Sequence, residues 1–244
     1  PVALCEIDGG NLRNAIAREA HAVIGLNPAD KEPARILLNH FAADVENELK
    51  HVDKNVQLVM ESADRPAFQI DDETAQKVVY AMLACVHGVI GMSHDIEGLV
   101  ETSTNLASIK MKEGNTILVG TSQRSSIESC KLAAAHQVAA TFKLAGAEVR
   151  HGDGYPGWAP NPDSKILKVA QESYKRLFGK EAKIKAIHAG LECGLFLTKY
   201  PHLDMISFGP TLRDVHSPNE RIEIKTVELW WSHLLDLFKS VPAK

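Results

Sequence analysis

The chain opens with an apolar run, Pro1-Val2-Ala3-Leu4-Cys5-Glu6-Ile7, that reads as a strand already under way. Residues 11–24 have helical spacing, with Leu12, Ile16, Ala20 and Val23 on one side, Arg13, Arg18 and Glu19 elsewhere, and Gly25 set to end the helix. A second amphipathic helix is predicted over 33–50, with Leu37, Phe41 and Val45 on its core face. Residues 55–61 alternate (Val56, Leu58 and Met60 against polar neighbours) and predict a strand. Asp71 and Asp72 then precede a long apolar helix over 73–90, where acids favour the positive end of the helix dipole.

Residues 99–112 and 115–123 alternate like two strands joined by a hairpin-type turn at Glu113-Gly114. An Ala-rich helix over 125–144 follows, ended at Gly146. Up to this point the pattern describes helices on an antiparallel sheet. Residues 152–162 break it, because three glycines and three prolines in eleven residues continue neither element and mark a linker or hinge. Beyond it the pattern predicts a helix over 164–178, a strand over 182–187, a helix over 191–199, a strand over 205–208 and a helix over 225–240. That alternating order indicates part of a doubly wound, largely parallel sheet. The fold class is α/β.

Composition narrows the partners. A formal net charge of -4 argues against nucleic acid or an anionic membrane surface. No apolar run approaches the ~20 residues that a membrane helix needs, and no basic, apolar, small-residue leader opens the chain. Cys5, Cys85, Cys130 and Cys193 form no C-x-x-C pair and neighbour apolar residues, as reduced thiols of a cytoplasmic protein do.

The most informative chemistry lies in 208–220, Phe-Gly-Pro-Thr-Leu-Arg-Asp-Val-His-Ser-Pro-Asn-Glu. A Gly-Pro turn leads into a loop that presents His216 among Asp214, Asn219 and Glu220. A His held on such a loop with one ring nitrogen free suits a metal ligand, and a surface loop that contains a His is the other reading. The pattern G-P-x-x-x-x-x-H-x-x-x-E resembles the last metal-ligand loop of the M20 family of metallopeptidases. The run His188-Ala189-Gly190-Leu191-Glu192-Cys193-Gly194 is similar to a second signature, that of the aminoacyl-histidine dipeptidase branch, which hydrolyses carnosine. The likeness runs from Gly9-Gly10 to the final helix.

This resemblance implies a dipeptidase with two zinc ions per active site, a small dipeptide substrate (Xaa-His such as carnosine) and a homodimer formed through a lid domain. It implies a lid or dimerisation domain over 1–151, a hinge over 152–162, and over 163–244 the C-terminal part of the doubly wound catalytic domain. The family draws most zinc ligands and its general base from an H-x-D motif, a further Asp and a Glu-Glu pair. This chain has no Glu-Glu pair, and its tripeptides His151-Gly152-Asp153 and His202-Leu203-Asp204 stand outside the family context. The chain, which starts at Pro1 without Met, is therefore expected to be the second half of a longer protein and inactive alone.

By resemblance His216 is a terminal zinc ligand, while Asp214 and Glu220 orient it or its loop. Arg124, at a strand end, matches a family Arg that binds substrate, and Arg takes a planar carboxylate bidentately. Asn14 matches an Asn of a lid helix that hydrogen-bonds substrate. The Gly190 N–H can approach a carboxylate near a helix start, with His188 and Glu192 bordering the pocket. His94 is the nearest counterpart of a lid His that polarises the scissile carbonyl, and Asn105 is a further polar position. The competing readings are a non-catalytic dimerisation or binding module and an M20 enzyme of other specificity, such as an amino-acid deacylase.

Overall fold

The computed structural model describes residues 2–94, 96–159, 161, 163–185, 192–215 and 217–240. Their elements run β1 (Val2–Gly10), β2 (Ala20–Leu26), α1 (Lys31–Leu49), α2 (Asp72–Ala84), β3 (Gly88–Met92), β4 (Val100–Lys112), β5 (Thr116–Ser125), α3 (Glu128–Leu144), α4 (Lys165–Phe178), α5 (Glu192–Lys199), β6 (Leu212–Arg213), β7 (Arg221–Ile222) and α6 (Ile224–Ser240). Five strands join in one sheet, ordered β2-β1-β4-β3 with β5 folded back on β4, and β6 and β7 make a separate two-stranded ribbon. Contacts group the chain into two compact units, one of residues 1–85, 106–120 and 144–147, the other of 86–105, 121–143 and 148–244.

In the first unit β1 and β2 form an antiparallel ladder from Val2↔Leu26 to Gly9↔Ala20, with a bulge between Leu4 and Glu6. The helix expected over 11–24 is not there. Residues 11–19 form the hairpin loop, and Gly25 lies in β2 opposite Ala3 instead of ending a helix. A lone helix of that length is marginal, whereas the free edge of β1 offers the β-branched Val23 and Ile24 a ladder partner. Gly10 takes φ +60° and joins β4 as the pair Gly10↔Ser108. Lys110 then reaches back to Asp8 at 2.5 Å.

Helix α2 packs against β1. It begins where the paired acids predicted, with Asp71 accepting the Thr74 N–H at 2.9 Å. It stops at Ala84, short of the predicted end at 90, because Cys85 turns extended and Gly88 adopts φ +95°. The β-branched Val89 and Ile90 lie in β3, which pairs with the first part of β4. The strand expected over 55–61 is absent. Val56, Leu58 and Met60 are half-buried between exposed neighbours, so the alternation is real, but the segment joins no ladder. On α1 the expected core face is largely open: Leu37 is 73% and Phe41 57% exposed, while Val45 is half-buried.

The β4–β5 hairpin forms as expected, turning through Gly114 and Asn115, both with positive φ. In the second unit Thr102, Thr104, Ser125 and Ser126 are buried at the strand ends, where Thr102 and Ser125 share a 2.8 Å hydroxyl hydrogen bond and Gln123 donates to Thr104. Helix α3 buries Ala134, Val138 and Ala139. Helix α4 is capped at both ends, by Ser164 accepting the Leu167 N–H and by Gly179 at φ +64°. It packs on α6, where the fully buried Ser173 donates to Asp236 at 2.6 Å, Arg176 pairs with the same carboxylate, and the His233 ring lies 3.0 Å from the Ala170 carbonyl against Tyr174 and Phe208.

The parallel sheet predicted for this region does not appear: every strand pair among the described residues is antiparallel. Residues 205–208 form no strand, nor do 182–185, and 186 and 187 lie outside the described residues. An apolar run becomes a strand only when a neighbour supplies a ladder, and none of the described residues does so here. The segment 152–162 carries no helix or strand at its described positions and belongs to the second unit.

Candidate functional site

Arg124 is carried near the end of β5. Successive side chains of a strand point to opposite faces, so Gln123 and Ser125, tied to Thr104 and Thr102, set Arg124 on the other face. The backbone just beyond is fixed by the Ser126 N–H to Glu101 carbonyl bond at 3.2 Å and by Ser125 Oγ accepting the Ile127 N–H at 3.0 Å. Arg124 as a residue is half-buried, and no side chain among the described residues pairs with it.

Beyond β5 the chain enters α3, whose first turn carries Glu128 and Lys131. Glu128 accepts the Gly157 N–H at 2.9 Å and pairs with Lys131 at 2.8 Å, while Lys131 donates to the Tyr155 carbonyl at 2.7 Å. Partial burial alone would raise the Glu128 pKa. The Lys131 hydrogen bond, the Gly157 N–H and the Lys131 charge outweigh it and hold the carboxyl below its ordinary value. Residues 155–157 also touch α5, since a Cβ on the buried Gly194 would stand 2.7 Å from the Pro156 carbonyl oxygen. The loop at Pro156-Gly157 thus contacts both the strand end that carries Arg124 and the helix that begins at Glu192. Glu192 itself is exposed, and burial raises the pKa of the neighbouring Cys193 thiol. His188 and Gly190 lie outside the described residues. Composition marked 152–162 only as a linker; Gly157, which lies against the Ser126 backbone where a Cβ would not fit, was the one signal of a close approach that it held.

The loop between β6 and β7 is tightly tied. Asp214, at φ 50°, pairs with Arg221 across the ribbon, and Arg213 pairs with Glu223 at 2.8 Å. The Ser217 hydroxyl donates to the Asp214 carbonyl at 2.7 Å, and Thr226 accepts the Thr211 N–H at 2.8 Å. Asp214 is therefore a brace of this loop. His216, which the loop carries, lies outside the described residues.

The remaining candidates lie on other segments of the chain. Asn14 is exposed in the β1–β2 loop and stands on no helix, a correction that follows from the strand at 20–26. His94 is exposed in the β3–β4 loop, and Asn105 is half-buried in β4 with its side-chain oxygen shielded from solvent. His151 and Asp153 are exposed. Asp204 serves α4, accepting the Ile166 N–H at 3.0 Å. The Ser164 hydroxyl, ahead of the opposing effect of burial and of the backbone N–H groups, lowers its pKa. Among the described residues no three His, Cys, Asp or Glu side chains gather into a metal-binding group, so these residues do not by themselves build a zinc pair.

Compared with known proteins, residues 10–238 match the sequence model of peptidase family M20/M25/M40. The chain is 37% identical over 241 residues to the cytosol non-specific dipeptidase of Escherichia coli (strain K12), covering 99% of this chain and 50% of that protein. It resembles the crystal structure of the aminoacylhistidine dipeptidase from Vibrio alginolyticus with a TM-score of 0.86 and 36% identity, over 100% of this chain and 49% of that one. A likeness to aminopeptidase PepT from Bacillus cereus, with a TM-score of 0.50 and 15% identity over 68% of this chain and 44% of that one, extends to the fold alone. The chain spans about half the length of the curated relative and of the Vibrio structure.

Proposed function

Because this chain belongs to peptidase family M20/M25/M40, we propose that it works as part of a dipeptidase that hydrolyses short peptides with a free C-terminal carboxylate. Arg124 carries this reading. Arg124 is half-buried, and a guanidinium with no side-chain partner among the described residues keeps its full capacity for a planar anion. A dipeptide always brings one. Asn14, Glu192, His188 and Gly190 complete the substrate-binding set. The class Xaa-His, such as carnosine, rests on the activity named for the Vibrio alginolyticus relative.

The metal of the intact site is zinc, two ions, with His216 as the ligand from this chain and the general base and other ligands from outside it. Zinc would supply Lewis acidity and a water acidified toward neutrality. Residues 1–151 act as lid and dimerisation domain, and 163–244 complete the catalytic domain beyond the joint at 152–162. The exposed apolar side chains Leu37 and Phe41 of α1 and, separately, Leu83 of α2 (78%) support a homodimer, in which a second copy of the chain would cover such positions. No helix among the described residues is long and apolar enough to cross a membrane. The cytosolic name of the Escherichia coli relative supports a cytoplasmic protein.

The test is zinc-supplemented hydrolysis of a Xaa-His dipeptide by this chain and by the full-length product that contains it, with an N-acyl amino acid alongside. Chelator-sensitive turnover of the dipeptide by the longer product, and none by the chain alone, is the expected result. Hydrolysis of the N-acyl amino acid only would make the protein a deacylase. No turnover of either by the longer product, with a stable dimer, would make it a non-catalytic module.

A further inference from the structure

Tyr155, Pro156 and Gly157 form a wedge between the end of β5 and the start of α5. A Cβ on Gly157 would stand 2.6 Å from the Ser126 carbonyl oxygen and 3.2 Å from that of Ser125, while Pro156 lies against Gly194. Both contacts are to backbone, so the wedge has no soft side chain through which to yield. Two side chains of α3 hold it there. Glu128 takes the Gly157 N–H, Lys131 takes the Tyr155 carbonyl, and the two are paired with each other. Charge-assisted bonds of this kind are about twice as strong as neutral ones.

Arg124 lies two residues before Ser126. The bonds from Glu101 and Thr102 hold that strand end to β4, and the wedge is the contact it makes with the loop. Resting on the reading of Arg124 as the carboxylate receptor, we propose that Glu128 and Lys131 are its positioning residues. They clamp residues 155–157 against Ser125-Ser126, which fixes the guanidinium relative to α5 and the Glu192 end of the substrate pocket. The low pKa of Glu128 keeps the clamp charged through the neutral range.

The clamp acts on the free carboxylate alone, and this separates it from a merely structural role. In the intact enzyme, Glu128→Ala, Glu128→Gln and Lys131→Met are compared on a dipeptide and on the same dipeptide as its C-terminal carboxamide, each alone and with Arg124→Ala. The readouts are KM and kcat for the free acid and the competitive inhibition constant for the amide. Glu128→Ala is expected to raise the free-acid KM about tenfold and to move the amide constant by less than about twofold. Its effect disappears once Arg124 is Ala. Glu128→Gln, whose amide oxygen still accepts the Gly157 N–H, recovers part of the loss, and Lys131→Met shifts the same way as Glu128→Ala. Equal losses on acid and amide, or losses that add to those of Arg124→Ala, overturn the proposal. An Arg124→Ala enzyme that still prefers the acid to the amide refutes the carboxylate reading itself, and the clamp with it. Should Glu128→Ala fail to fold, the Gln and Met variants carry the same comparison.

Discussion

Replacing Gly10 by Ala perturbs the ladder between β1 and β4, whose register pairs Gly9 with Ile109 and Gly10 with Ser108. Two costs follow from the coordinates. Gly10 has φ +60°, and an L side chain in that region costs about 1–2 kcal/mol. The added Cβ would also stand 1.9 Å from the Ala107 carbonyl oxygen, 2.9 Å from its carbon and 3.1 Å from the Ser108 Cα. All three are backbone atoms, so nothing can rotate aside. The overlap can be relieved only by prising β1 from β4 beside the buried Ala107 and Ile109. Together these put the loss near 3–5 kcal/mol, in the range where single changes are exceptional. Gly91→Ala in β3 is the internal control, since nothing lies within 4 Å of its Cβ position; it should change stability by less than about 1 kcal/mol. Urea denaturation followed by far-UV circular dichroism, with amide exchange at 107–109, measures both. A Gly10→Ala protein whose midpoint matches that of Gly91→Ala would refute the steric reasoning.

Ser164→Ala removes the Leu167 N–H acceptor at the start of α4 and should cost about 1 kcal/mol in the same denaturation assay. Asp204 gives a pH signature. Its folded-state pKa is depressed, so its contribution is present above the ordinary value of 3.8 and lost as pH falls through the lower folded value. The stability gap between the parent and Asp204→Asn should therefore be widest near neutral pH and close in acid; a gap that widens on acidification would reverse the assigned sign. In the intact protein, His216→Ala should lower bound zinc measured by elemental analysis, and an undiminished zinc content would remove it from the ligand set.

Local physics determined the elements whose signals need no distant partner. Asp71 and Ser164 cap α2 and α4, Gly179 ends α4, and Gly114 turns the β4–β5 hairpin; each acts within a few residues, so the chain carries it in plain view. The family was legible for a related reason, because a motif is a local string. Strand pairing is another matter. Residues 20–26 became a strand because β1 was there to pair with, and 55–61 and 205–208 did not because no described neighbour supplied a ladder. The same holds at the candidate site. Arg124 could be picked out from its place at a strand end, but its want of a side-chain partner among the described residues depends on everything folded around it. The docking of Gly157 on Ser126 under Glu128 and Lys131 joins residues about thirty positions apart. A linker composition says only that the backbone can bend there. What it bends around is decided by the tertiary structure, where a missing side chain becomes a contact surface.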